Sequence, residues 1–370
     1  MQAQQSTIKN QQSTINDQQS TINGQRSGYP ELNAVVYVTV EKNGLKMPTI
    51  NAFEKAVLAG RQLDAADAAA LVSMSETQPF DLFHSANRIR EHCKGNVVRL
   101  CSIVNARSGA CSEDCRFCAQ SARHNTGVAT YPLVSAERIL DAASASVKMG
   151  ADCFGIVTSG RGPGSDRDFA AICNTAARIT GIEACASLGS LTPERAAALK
   201  AAGVCRYNHN IETAPSFYPS ICTTHGFDDR IATVKAAKAA GMRACCGGIF
   251  GLGENWGHRI EMALELRELD VDTVPVNFLN PIPGTKLADQ PVLPPLEALR
   301  IIALFRFLLP EKNIKTAGGR EHCLGDFQSW MFYAGANGTL IGNYLTTKGR
   351  PAEDDRKMIR EMGLRVNNER

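Results

Sequence analysis

One cadence recurs four times between residues 135 and 246: a helical stretch, a glycine, then a short β-prone run. Residues 135–149 lead through Gly150 to 152–157, and 168–180 through Gly181 to 183–187. Residues 192–202 lead through Gly203 to 205–208, and 228–240 through Gly241 to 243–246. A glycine just past a helix is the left-handed cap that turns the chain back, and a brief apolar run after it suits a parallel strand buried on both faces. Repetition of that unit restricts the chain to α/β architectures.

Further β-prone runs at 96–105, 273–278, 313–317 and 338–342 bring the strands to eight, with helical patterns at 259–269 and 296–309 between them. Eight alternating units over about 250 residues predict an α/β fold of the TIM-type (β/α)8 barrel kind. A doubly wound open sheet is the rival, and no G-x-G-x-x-G follows the first run to support it. Upstream, residues 49–59, with Thr49 as a cap, and residues 64–72 carry helical spacing, an N-terminal helical extension over the barrel. The expected organisation is a tail at 1–45, a helical cover at 46–95, the barrel at 96–350 and a C-terminal helix or tail at 351–370. Residues 1–28 repeat QQSTI at heptad spacing, but one isoleucine per heptad cannot build a coiled-coil seam, so this part reads as disordered and of low complexity.

With 370 residues, 44% of them hydrophobic, the chain can bury a core of barrel size. Its net charge is only +3 with Lys and Arg scattered, which argues against nucleic acid and anionic membranes as partners. No apolar run approaches the roughly 20 residues that span a bilayer. Thirteen cysteines without a secretory signal point to a reducing compartment, where thiols serve metals or catalysis, so a cytoplasmic location is expected.

The loop after the first strand carries the strongest chemical signal: Cys111, Cys115 and Cys118 fall within eight positions. A structural zinc site closes with four protein ligands, whereas three thiolates around a cubane leave one iron open to an exogenous molecule. Spacing alone leaves a zinc knuckle, or buried thiols that merely pack, as the alternatives. A second set, Cys153, Cys185 and Cys245, sits on predicted strands two, three and five, near their starts. Residues at one height on different strands converge on a barrel axis, and that interior ordinarily holds Val, Ile and Leu. A second metal centre beneath the first is the reading this supports. Active sites of such barrels lie at the C-terminal strand ends, where this chain places Thr158-Ser159-Gly160, Asn208-His209-Asn210-Ile-Glu212, a glycine-rich turn at 247–253, and Asn277.

Cys-x3-Cys-x2-Cys with an aromatic before the last cysteine resembles the signature of radical S-adenosylmethionine (SAM) enzymes. The longer string GACSEDCRFCAQSARHNTG is similar to the biotin synthase family, a resemblance that extends over residues 95 to 350. It implies a [4Fe-4S] cluster on Cys111, Cys115 and Cys118 whose open iron chelates SAM, with Phe117 against the adenine. It also implies a sulfur-donating auxiliary cluster on Cys153, Cys185 and Cys245, with Arg320 as an unusual fourth ligand. Between a [2Fe-2S] centre and a larger one the sequence leaves the choice open, since Cys246 and Cys323 are close in sequence to these ligands. Cys93, Cys101, Cys173, Cys205 and Cys222 are expected to be ordinary small residues.

By the same resemblance YNHNIET, residues 207–213, places Asn208 and Asn210 on dethiobiotin and SAM and Glu212 on the ribose hydroxyls. Glu212 stands where the family pattern has the shorter Asp. Arg230 would pair with the SAM carboxylate, Ile249 would flank the adenine, and Asn277, Thr346 and Thr347 would meet polar groups of the substrate. Amides suit a ureido ring, a carboxylate a vicinal diol, and an arginine fork a carboxylate. The implied reaction is sulfur insertion into dethiobiotin, started by a 5'-deoxyadenosyl radical that takes hydrogen from an unactivated carbon. A flavodoxin- or ferredoxin-type electron donor, the iron–sulfur assembly machinery and a homodimer are implied partners. The rivals are a mutase or lyase on the same barrel and, from another class, a non-catalytic zinc-binding protein.

Overall fold

The computed structural model describes residues 48–367, so the expectation for the tail at 1–45 lies outside the described residues. Three helices come first: α1 (Ile50–Leu58), α2 (Ala65–Thr77) and α3 (Pro79–Lys94). Each start is written locally. Thr49 Oγ1 accepts from Ala52 N at 3.2 Å, Asp64 and Asp67 form a reciprocal capping box, and Pro79 opens α3 where its missing N–H costs nothing.

The barrel then alternates strand and helix: β1 (Val97–Arg107), α4 (Ala136–Lys148), β2 (Cys153–Thr158), α5 (Asp166–Ala176), β3 (Glu183–Ser187), α6 (Pro193–Ala201) and β4 (Arg206–Asn208). It continues with α7 (Phe227–Ala239), β5 (Arg243–Cys245), β6 (Gly248–Phe250), α8 (Trp256–Glu268), β7 (Thr273–Phe278), α9 (Pro295–Leu308) and β8 (Asn313–Thr316). Two short helices, α10 (Arg320–Leu324) and α11 (Trp330–Tyr333), precede β9 (Gly338–Leu340), α12 (Ala352–Glu361) and β10 (Arg365–Val366). Strand order β1-β2-β3-β4-β5-β7-β8-β9, with β9 paired back to β1, closes an eight-position parallel barrel, as the cadence predicts. Strand β10 adds to the base of β1 through Val97 and Arg365.

Glycine ends the helices as expected; Gly203 follows α6 at a φ of 87°, which a β-carbon would strain. The fifth strand differs from its prediction, because it is broken at Cys246–Gly247 into β5 and β6. Glu212, itself at φ 68°, inserts its carbonyl there and accepts from Ile249 N at 2.8 Å. A β-carbon on Gly248 would lie 2.2 Å from that carbonyl oxygen, so only glycine permits the approach.

Ala298, Leu299 and every residue from Ile301 to Leu308 of α9 are buried. A helix apolar on all sides needs cover on both, and α9 gets it from the barrel beneath and α2 and α3 outside. Among the described residues, no helix is long and apolar enough to cross a membrane.

Candidate active site

Strand β1 carries a register shift between Asn105 and Arg107, an irregularity that re-aims the chain into the cysteine loop at the barrel rim. The loop is closed at its base by Ser108 and Tyr131, which exchange backbone hydrogen bonds of 3.2 and 3.1 Å. Gln120 Oε1 accepts from Ser108 Oγ at 3.1 Å and Gly109 N at 3.2 Å, fixing the entry to Cys111. Asp114 accepts from Thr223 N at 2.9 Å and so staples the loop to the segment after β4. Cys115 packs in an apolar group with Tyr218, Ile221 and Leu252, against which Phe117, Cys118 and Ile249 lie.

Cys111, Cys115 and Cys118 line one cavity of about 280 Å³ together with Thr158, Ser159, Asn208, His209, Asn210 and Glu212 from the ends of β2, β4 and the turns beyond, and with Arg230 from α7. Three of these lining residues carry a buried polar atom with no hydrogen-bond partner: Thr158 Oγ1, Asn208 Oδ1 and His209 Nε2. Burial pushes the His209 imidazole well below its ordinary range, so it faces the cavity neutral. Orphaned buried groups are costly unless something meets them, and here a polar ligand would.

Arg230 is the hub of the mouth. Its guanidinium donates to Tyr218 Oη at 2.6 Å, to Asn210 O at 2.8 Å and to Glu212 Oε1 at 3.4 Å, with His225 Nε2 at 3.0 Å. Asn210 spans to Glu212 Oε2 at 3.3 Å and accepts from Gly247 N at 3.2 Å. Burial pushes the Glu212 carboxyl up, and Arg230 opposes it. His225 also pairs with Glu113 at 2.6 Å.

Deeper in the barrel lies a second group of thiols. Cys101 and Cys153 are register partners on β1 and β2, and their sulfurs stand 2.9 Å apart, sharing a hydrogen bond. Cys101, Cys153 and Cys185 form one buried cluster with Ala317 and Leu340. Arg206, the register partner of Cys185, donates from Nη1 to Cys153 Sγ at 3.4 Å. Cys245, the register partner of Asn208, is 1% exposed, and with Cys101 and Cys153 it lies within Coulombic reach of both Arg206 and Lys315. The bond with Cys101, one with Cys185 and the charges of Lys315 and Arg206 hold Cys153 well below the usual thiol range, against burial.

The structure therefore brings Cys111, Cys115, Cys118, Phe117, Asn208, Asn210, Glu212 and Arg230 to one mouth, with Ile249 packed on the same apolar group. Cys153, Cys185 and Cys245 all lie within Coulombic reach of the buried Arg206, and Cys153 and Cys245 of the buried Lys315 as well. Arg320 is not brought to them: its guanidinium donates to Asp355 Oδ2 at 2.6 Å and Gln328 Oε1 at 2.7 Å, and it leads off α10. Asn277 is spent on backbone, donating to Gly248 O at 2.9 Å and accepting from Gly318 N at 2.9 Å. Thr346 is exposed, and it is the neighbouring Leu345 that lines the cavity. Cys246 and Cys323 both point into the outer core, away from the second thiol group.

Two expectations of plain packing are corrected. Cys101 touches Cys153, because parallel register sets them side by side, and Cys222 lies 3.7 Å from Cys115 Sγ and 3.2 Å from His225 Nδ1. Sequence reasoning also passed over His225, Glu113, Arg206 and Lys315. Glu113 sits inside the cysteine loop and His225 just before α7, while Arg206 and Lys315 lie on the short strands β4 and β8. Among the described residues, one set is tight enough for a single ion, Cys115, Cys222 and His225, all within 4.8 Å. The three loop thiols, and likewise Cys101, Cys153 and Cys185, are not all drawn together that tightly. All-thiol donor sets of this kind are those an iron–sulfur cluster takes.

Comparison with known proteins agrees with this geometry. Residues 106–266 match the Radical SAM superfamily model, and residues 275–365 match the Biotin and Thiamin Synthesis associated domain. Among solved structures, methylornithine synthase superposes with a TM-score of 0.74 at 20% identity, covering 85% of this chain and 97% of its own. HydG, a maturase of the [FeFe]-hydrogenase, superposes at 0.73 with 15% identity, covering 86% and 75%. These two share the fold. Sequence relatives are much nearer: the biotin synthase of Geotalea uraniireducens is 50% identical over 323 residues, 86% of this chain and 98% of the relative. That of Geobacter metallireducens is 51% identical over 313 residues, 84% and 95%. With half its residues shared across nearly the whole length of such relatives, this chain belongs to the biotin synthase family of radical SAM enzymes.

Proposed function

We propose that the chain converts dethiobiotin to biotin, with the upper and lower thiol groups acting on one substrate held between them. The observation that carries this is the stacking of two separate sulfur-rich groups in one barrel, with Asn208 in register with Cys245 of the lower group while lining the cavity of the upper. Cys111, Cys115 and Cys118 hold the [4Fe-4S] cluster that takes SAM, and Cys153, Cys185 and Cys245 hold an auxiliary cluster, read as [2Fe-2S]. When bound, these groups supply hydrogen abstraction from an unactivated carbon and the sulfur atom, chemistry that no side chain can furnish.

The chain's own residues bind, orient and dry the site. Arg230 and Glu212 offer a fork for a carboxylate and an acceptor for a diol on SAM, and each positions the other. Phe117, Ile249 and Leu252 present an apolar wall beside Cys115 that keeps water from the adenine side. Thr158, Asn208 and neutral His209 turn their unpartnered atoms to the ureido and carboxylate groups of dethiobiotin. Asn277, through Gly248 and Gly318, steadies the strand ends on the substrate side, and Thr346 and Thr347, next to Leu345 of the cavity lining, are substrate contacts in the same reading. The same reading carries a flavodoxin- or ferredoxin-type electron donor, iron–sulfur assembly proteins and a second copy of the chain as partners.

Anaerobically reconstituted protein, given SAM, a low-potential reductant and dethiobiotin, should form biotin, and Cys153→Ala should abolish it while SAM is still cleaved. Biotin at wild-type yield from Cys153→Ala would remove the lower group from the reaction.

A further inference from the structure

We infer that the lower thiol group is a four-thiolate site, with Cys101 as its fourth ligand and Arg206 and Lys315 as its counter-charges. This rests on the reading of Cys153, Cys185 and Cys245 as holders of an auxiliary cluster, and it names the ligand that completes them. Arg320 cannot be that ligand in this arrangement, since its guanidinium is held by Asp355 and Gln328.

Register places Cys101 there. In a parallel pair, residues facing each other across two strands point to the same side of the sheet, and Cys101 is opposite Cys153 on one flank and Leu340 on the other. Its sulfur is 2.9 Å from that of Cys153, and both side chains are 4% exposed. That separation is well beyond the roughly 2.0 Å of a disulfide, so the two thiols are free to turn to a common metal. Cys205 is the rival, because it too bonds with Cys185. Its sulfur, however, lies 3.3 Å from Ala184 O and 3.3 Å from Arg243 Nη2, and the residue is only half-buried.

Charge argues the same way. Lys315 is 7% exposed and forms no ion pair with a carboxylate among the described residues, and Arg206 Nε is buried without a partner. One carboxylate, Glu183, reaches Arg206, at 3.2 Å from Nη2, and it is shared with Arg99 and Arg243. Buried cations of this kind require an anion, and the groups within reach of both are Cys101, Cys153 and Cys245. Four thiolates on a doubly positive [2Fe-2S] core leave two negative charges, which the two cations neutralise.

The test is anaerobic reconstitution of the full-length chain and of Cys101→Ala, Cys101→Ser, Cys153→Ala, Cys205→Ala and Cys173→Ala, with iron and sulfide analysis and Mössbauer spectra. Cys101→Ala should lose the lower cluster's iron, with at least about a 10-fold weaker hold on it, while keeping the upper cluster. Cys101→Ser should retain the cluster with charge-transfer absorption moved to shorter wavelength, which shows a ligand exchange rather than a folding defect. Cys173→Ala and Cys205→Ala should match the parent. Lys315→Met should leave the cluster in place and shift its reduction midpoint to a more negative value.

A lower cluster with the parent's spectrum in both Cys101 variants overturns the inference, as does loss on Cys205→Ala instead, or a Cys101–Cys153 disulfide in the reconstituted protein. If Cys153→Ala also keeps that spectrum, the auxiliary-cluster reading itself fails, which separates the two failures.

Discussion

Arg230→Met removes the cation to which the mouth of the barrel is tied. The arginine makes four polar contacts between 2.6 and 3.4 Å, and its side chain is 10% exposed. Methionine keeps much of the volume but leaves Glu212, itself 13% exposed, as a buried carboxylate without a cation. Breaking a buried pair in this way costs about 3–5 kcal/mol. For a chain of this size that corresponds to a melting midpoint lower by about 4–7 °C.

The measurement is urea and thermal unfolding by circular dichroism, without added SAM or substrate so that ligand affinity does not enter. The pH dependence supplies a second check. Burial raises the Glu212 pKa in the folded protein, so the folded state binds that proton more tightly than the unfolded chain. Its contribution is then fully present below the unfolded carboxylate value and is lost as pH rises through the raised one. Without Arg230 only the Asn210 amide and His225 oppose burial, so the deficit of the variant should be smallest within the ordinary carboxylate range and grow as pH rises above it. A variant within about 1 kcal/mol of the parent at the upper pH, or a deficit flat across the range, would refute the account of Arg230 as the compensating charge.

Gly248→Ala would put a β-carbon 2.2 Å from Glu212 O and 2.5 Å from the Met262 methyl, so the strand break cannot be kept. A loss of about 1–3 kcal/mol is expected, together with SAM binding weakened through the displaced Glu212, both readable by calorimetry. Arg306→Met would strand the carbonyls of Gly335, Pro310 and Lys312, which now accept at 2.8, 2.7 and 2.9 Å, and the Asn337 amide oxygen at 2.9 Å. Urea unfolding should show at least about 3 kcal/mol lost, with cluster content per folded chain unchanged. Thr158→Val replaces an unpartnered hydroxyl with a methyl, so stability should hold or rise slightly while the KM for dethiobiotin climbs about 10-fold, the worth of one hydrogen bond.

The barrel was legible because its signals are local. Helix caps such as Thr49, Ser135 and Thr192 and the glycines behind each helix act within a turn of themselves, so they can be read in order along the chain. The cysteine loop was legible for the same reason, its three thiols lying within eight positions. Much of the cavity lining followed from one rule about strand ends, which located Thr158, Asn208 and Glu212 without any contact being known.

What the linear chain could not specify is which residues of different strands share a height. That depends on how the strands are staggered when the barrel closes. Stagger decides that Cys101 meets Cys153 while Arg320, close to β8 in sequence, turns outward to Asp355 on α12. It also decides that Lys315 and Arg206 face the lower thiols, and that a loop 110 residues downstream brings Cys222 and His225 to Cys115 and Glu113. The sequence by itself determined the repeating units and the donor atoms, because caps, periodicity and short spacings are local physics. The partnership of those donors was decided by the tertiary structure alone, through a closure condition that spans every strand at once.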